Sequence, residues 1–198
     1  MEFQEVVRRR KMIREFHPTP VPDEVLSRIL DNATRAPSAG FSQGMAFLVL
    51  TGDDLPRFWE IGGAWVSETV RTAPVVIVPM SSKRVYLDRY AQEDKGWTDR
   101  DETRWPVPFW HIDTGMAAML ILQTAVDQDL GAIYFGIAPE AVAPFRKAYG
   151  VPEDHEPIGA IAIGTPAAQP DAQLRAKLKS RRRPLEDVVH HGRWRGEG

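Results

Sequence analysis

The side chains able to do chemistry in this chain are mostly cations. Arg10 and Arg14 stand four residues apart, with Lys11 between them and Arg8 and Arg9 just before. Guanidinium forks match phosphate oxygens, and two of them on one face of a helix end would grip a dianion. A second cluster, Lys179-Ser180-Arg181-Arg182-Arg183, lies near the end of the chain. Of the 25 Lys and Arg, five fall in residues 1–14 and eight in residues 171–198, yet the whole chain carries a net charge of -2. If the two ends converge, they make one positive pocket on a nearly neutral molecule. Such a pocket suits a phosphate better than a long polyanion.

Other chemistries are excluded. The chain has no cysteine, so there is no thiolate metal site, disulfide or cysteine nucleophile. His190 and His191 are adjacent and cannot share one face, and no carboxylate or histidine group has ligand spacing, so the expected metal is none. The glycine-rich dinucleotide fingerprint and the Walker A loop are absent. Ser38-Ala39-Gly40 lacks the strand-elbow-helix setting of a hydrolase serine. His17, His111 and His155 sit near turns or helix starts and read as surface or hydrogen-bonded residues. No side chain stands out as a nucleophile or general acid, so the expected catalytic residues are none. What remains is a loop, Ala36 to Gln43, whose small side chains, hydroxyls and amide could approach a flat ring and bond its polar edge. Residues 81–110 add Tyr86, Tyr90, Trp97, Trp105, Phe109 and Trp110.

These pieces need a scaffold. At 198 residues and 43% hydrophobic, the chain is long enough for one domain with a sizeable core. No apolar run approaches a membrane span, and the charged N-terminus lacks a secretory signal, so a soluble cytoplasmic protein is expected. Apolar spacing predicts a helix over residues 2–13, stopped by Pro18 and Pro20. A second helix starts at Pro22-Asp23-Glu24. Residues 45–51, 74–80, 131–137 and 156–164 read as buried strands, near-continuously apolar as in a sheet covered on both faces. Helices are expected over residues 54–61, 64–71 and 139–149. The longest covers 112–129, with Ile112, Met116, Met119, Leu120, Gln123, Val126 and Leu130 as its core stripe. Residues 81–110 read as a partly helical lid or interface arm. The basic tail adds an edge strand near Val188 and Val189. Alternating short strands and helices place the chain in the mixed α/β or α+β class.

In this order the segments resemble the nitroreductase-like flavoprotein family, across nearly the whole chain. The most specific part is the opening, Arg10 to Phe16, then Pro22 to Leu30, then Ala36-Pro37-Ser38-Ala39-Gly40 and Gln43. Gly131 to Ile137, Pro157-Ile158-Gly159 to Pro166, and Arg183-Pro184-Leu185-Glu186-Asp187-Val188-Val189-His190 are also similar. The resemblance implies an α+β fold with a central, mainly antiparallel sheet flanked by helices. It implies one domain over 1–198, with 81–110 as lid or interface segment and 170–198 as C-terminal arm. Two such chains would make an intertwined homodimer by exchanging those arms.

FMN would be the cofactor. Arg10, Lys11, Met12 and Arg14 would hold its phosphate, with Arg181 or Arg183 reaching the same group. Pro37, Ser38, Ala39 and Gln43 would come from the partner chain, and Ile158 and Gly159 would lie under the ring. The flavin would carry the redox chemistry. NAD(P)H would reduce it and leave, and a small aromatic acceptor of nitroaromatic or quinone type would follow, a ping-pong sequence. Tyr86, Tyr90, Trp97, Trp105 and Trp110 would form the substrate lid. Three departures stand out: Met12 for the usual serine, Phe41 for the usual asparagine, and Gly44-Met45 for Pro-Trp. They keep alternatives open. One is a non-catalytic flavin or deazaflavin binding protein. Another is a flavin-fragmenting or dehalogenating member of the fold. An RNA-binding module built on the tail fits the near-neutral charge worst, so no nucleic-acid partner is expected.

Overall fold

The apolar run after Pro74 forms the centre of the molecule. In the computed structural model, which describes residues 1–63, 65–168 and 172–194, Val75–Ser81 (β2) is buried along its whole length. Met45–Thr51 (β1) pairs with it antiparallel on one side, Met45 opposite Ser81 and Thr51 opposite Val75. Ala160–Gly164 (β5) pairs antiparallel on the other side, and Gly131–Phe135 (β3) pairs antiparallel with β5. The order is β1-β2-β5-β3, and Glu156–Pro157 (β4) adds a short rung beside β2. The expected strand at 156–164 is therefore two strands, broken at Ile158-Gly159. Gly159 has a φ of 148°, which takes the chain out of the β ladder.

Side chains alternate across the sheet and feed two cores. Val76, Val78, Met80, Ala160 and Ala162 join Phe58 and Phe145 on one face. These two phenylalanines belong to Asp54–Ile61 (α3) and Pro139–Tyr149 (α6). Val75, Ile77, Ile161 and Ile163 join Ile29, Ala33, Ala118 and Ile121 on the other. Those come from Asp23–Thr34 (α2) and Phe109–Asp127 (α5). The class is α+β, as expected, with helices on both faces. Each fully buried Phe or Ile contributes about 1.5–3 kcal/mol. Among the described residues no helix is long and apolar enough to cross a membrane.

Several expectations need correction. The first helix ends early: Phe3–Arg9 (α1) stops before the cation cluster. Edge strand β3 captures the next residues, with Met12 bridged to Ala132 and the Ile13 N–H donating to the Ala132 carbonyl at 3.0 Å. Arg10 and Arg14 therefore do not share a helix face. Strand β1 is an edge strand, and only its Leu50 is fully buried. The helix proposed at 64–71 reduces to a turn at Val70–Thr72. On α5 the stripe read as core is partly outside: Ile112, Met116 and Met119 are exposed. The helix buries its Ala117, Ala118, Ile121, Leu122 and Ala125 side instead, because small residues let α2 and the sheet approach closely.

The chain divides into two units, residues 1–168 and 169–198. In the second, Ala172–Ser180 (α7) is helical and Leu185–Asp187 makes a single turn. No strand forms at Val188-Val189, which lie past that turn without a ladder partner among the described residues.

Candidate active site

The sheet has two ends, and each carries part of the expected site. At the lower end, where β2 begins and β5 finishes, residues 12–17 run extended. The His17 N–H donates to the Thr165 carbonyl at 2.9 Å, and the Phe16 N–H to Thr72 Oγ1 at 3.1 Å. Ile13 and Phe16 are buried and anchor the segment. Met12 is half-buried and packs against both cores. Of the cations around these anchors, Arg8, Arg9 and Arg14 are exposed and Arg10 and Lys11 half-buried. Arg8 pairs with Glu5, and Arg9 with Asp129 at 2.8 Å. Among the described residues Arg10 and Lys11 make no side-chain hydrogen bond or ion pair, and Arg14 donates only to the Met12 carbonyl. Three cations in five residues thus face no acid among the described residues.

At the upper end, where β1 begins and β2 finishes, lies the Pro37–Gln43 loop. Its backbone is unusual: Gly40, Phe41 and Gln43 have φ of 60°, 53° and 53°. Internal bonds set the turn. The Phe41 N–H donates to the Ser38 carbonyl at 2.9 Å, Ser42 Oγ to the Ala39 carbonyl at 2.6 Å, and the Gln43 N–H to Ser38 Oγ at 3.0 Å. Pro37, Phe41 and Gln43 are exposed, and Ser38 and Ala39 half-buried.

The loop is clamped by residues sequence reading missed. Asp113, in the second turn of α5, is 2% exposed. Its Oδ2 accepts the Ala39 N–H at 2.8 Å and the Tyr86 hydroxyl at 2.7 Å. Burial, with the bond to Asp113, drives the Tyr86 pKa far above the ordinary tyrosine value, so the phenol keeps its proton. The signal was present in the sequence: an acid among the mostly apolar residues of this helix, a turn and a half from its start. Tyr86 and Arg89 belong to Lys83–Tyr90 (α4). Arg89 donates to the Gly40 carbonyl at 3.0 Å while both its Nη atoms hold Asp94. The rings of Tyr90 and Tyr86 lie against Gly40 and Gly44, each 2.6 Å from where a Cβ would stand. Any side chain at either position would displace a tyrosine.

The five residues expected as a substrate lid form one cluster. Trp105 is central, with ring centroids 4.6 Å from Tyr90, 5.6 Å from Trp97, 6.0 Å from Tyr86 and 6.2 Å from Trp110. Tyr86 and Trp110 are buried, the other three half-buried. Beside them His111 takes Ser81 Oγ on Nδ1 at 2.8 Å and faces Glu156 with Nε2 at 3.5 Å, so it is hydrogen-bonded, as expected. Ile158 is half-buried and Gly159 buried; the Tyr134 hydroxyl donates to the Ile158 carbonyl and covers Gly159. In the tail unit Arg183 donates to the Asp187 carbonyl at 2.7 Å, and Arg181 makes no ion pair among the described residues. Leu185, Val188, Val189 and Trp194 of that unit are exposed.

An antiparallel sheet with helices on both faces, an unpaired cation strip and a clamped small-residue loop define a class, and comparison with known proteins gives its family. The sequence model of the nitroreductase family matches residues 7–68 and 63–165. The chain belongs to the nitroreductase family and is an oxidoreductase. A Methanothermobacter thermautotrophicus protein, provisionally assigned as an NADH dehydrogenase/NAD(P)H nitroreductase, is 28% identical over 86% of this chain and 80% of its own. An NADPH-dependent oxidoreductase of Staphylococcus aureus is 21% identical over 97% of this chain and 74% of its own. A Desulfovibrio desulfuricans protein provisionally assigned as a nitroreductase, solved in complex with FMN, superposes with a TM-score of 0.72. It is 24% identical and covers 98% of this chain and 99% of its own, a likeness of fold.

Proposed function

We propose that this chain is an FMN-dependent NAD(P)H oxidoreductase. Its acceptor is a small aromatic of nitroaromatic or quinone type, reduced by a ping-pong sequence in one cleft. The observation that carries the reading is the strip Arg10-Lys11-Arg14, three cations at one end of the sheet without an acid among the described residues. A phosphate dianion fits it. Arg10, Lys11 and Arg14 hold the phosphate, with the Met12 backbone alongside, and Arg181 or Arg183 adds a further fork. The ring rests by Ile158 and Gly159.

Pro37, Ser38, Ala39 and Gln43 close the site from a second copy. Apolar side chains without cover support a homodimer. They are Ile112, Met116 and Met119 on α5, Phe3 and Val7 on α1, and Leu185, Val188 and Trp194 in the tail. We read residues 1–198 as one domain whose 170–198 arm exchanges between copies. Bound FMN supplies two-electron transfer from NAD(P)H to the acceptor. The protein binds it, orients it and shields it, and the 81–110 aromatics bound the cleft.

The first test is the absorbance spectrum of the purified protein before and after anaerobic NADPH. Flavin bands that bleach are the expected result. Flavin bands that persist point to a binding protein or another reductant. A colourless protein that takes up no added FMN ends the cofactor assignment.

A further inference from the structure

The Phe41 side chain has no structural task among the described residues. It is 76% exposed and its ring pairs with no other aromatic among the described residues. Its backbone sits at φ 53°, a region a bulky residue rarely occupies without strain. Turn and fold use only its main chain, through the bond to Ser38. An exposed ring on a strained backbone weakens the loop twice over, so its use lies outside the chain.

The surroundings restrain the backbone that carries the ring. Asp113 holds Ala39, Arg89 holds the Gly40 carbonyl, and Tyr90 fills the space beside Gly40, immediately before Phe41. With the Cα so restrained, the ring has only its own two side-chain torsions to vary. The loop that carries it is the one read above as reaching a second copy.

We infer that Phe41 is a specificity-determining residue, presented to the cleft of a second copy, where it stacks on flat aromatic acceptors. This rests on the proposed function. Stacking of two rings favours a planar ligand over a saturated one of equal charge and similar size by about 2–12-fold. Asparagine tolerates the left-handed backbone, so Phe41→Asn keeps the loop, and Phe41→Trp keeps an aromatic face.

The test uses the FMN-loaded enzyme with benzoate and cyclohexanecarboxylate, followed by perturbation of the flavin spectrum. Wild type should bind benzoate about 2–12-fold more tightly. F41N should erase that preference and F41W restore it, with molecular mass in solution unchanged. Steady-state work should agree: F41N raises KM for a quinone, and F41W brings it back toward the wild-type value. A preference that survives F41N overturns the inference. So does a wild type without preference, or an F41N protein that falls to monomers, which makes Phe41 an interface residue. A wild type that takes no flavin brings down the proposed function itself, and this inference with it.

Discussion

Two regions of this molecule are rich in charge, and they treat it in opposite ways. Between Lys83 and Arg104 every cation has a partner: Lys83 with Glu102, Arg84 with Asp154, Arg89 with Asp94, Arg100 with Asp88, and Arg104 with Asp99. Lys95 lies over the Tyr90 ring at 5.3 Å. Between Arg10 and Arg14 no cation has an acid among the described residues. Density of charge is therefore a poor guide to an anion site. Partnership is the better one, since a paired guanidinium must give up a carboxylate before it can bind a phosphate.

The largest effect should come from the unpaired strip. Replacing Arg10 and Arg14 together with alanine removes two charge-assisted contacts, worth roughly 3–6 kcal/mol. FMN affinity should fall by about 100-fold or more in a fluorescence titration, and the apo-protein's melting temperature should barely move. Unaltered affinity would mean the strip is an ordinary solvated surface.

Next is the clamp that joins the paired region to the loop. Asp113→Ala leaves the Ala39 N–H and the Tyr86 hydroxyl without their acceptor, at a cost of about 2–4 kcal/mol. Thermal unfolding should drop by about 5–15 °C, and Asp113→Asn by less, since its amide oxygen still accepts. If the alanine variant melts like wild type, the loop is held by something else.

The paired region itself should respond weakly. Arg104→Ala breaks an exposed pair, so melting should fall by only about 1–2 °C, with FMN affinity intact. A large loss of FMN binding here would collapse the distinction between the two regions. Acid should reach this region, whose cations are held by carboxylates. Hydrogen bonds from Arg89 and Arg104 hold the Asp94 and Asp99 carboxyls below their ordinary value of 3.8. A depressed folded pKa stabilises above the unfolded value and is lost as pH falls through the folded one. Fluorescence of Trp97 and Trp105 should therefore change below about pH 3.8 and stay flat above it. A transition near neutral pH would implicate other groups.

Much of the frame was legible in the residues. Strands β1 and β2, helix α3 and helix α6 follow from apolar runs and their punctuation, and their observed bounds match or shift by one residue. The end of α1 was not legible. Arg10 to Ile13 has good helical spacing, but β3 offered an open edge, and pairing with Ala132 outweighed local propensity. On α5 the periodicity was ambiguous because the helix is apolar nearly all round, so spacing alone could not choose which side faces the sheet. The tail's Val188-Val189 carried strand propensity without a neighbour to pair among the described residues.

The sequence by itself determined the residue types of the site: two arginines and a lysine, a loop of small residues, and a run of aromatics. It also carried the family resemblance, because turn residues and buried runs are constrained locally and keep their order. Only the tertiary structure decided which cations stay free, which carboxylate holds the loop, and that strip and loop lie at opposite ends of one sheet. These are distances between residues far apart in the chain, Ala39 and Asp113 among them. Local propensity contains no information about such pairs; the packing of helix against sheet creates them.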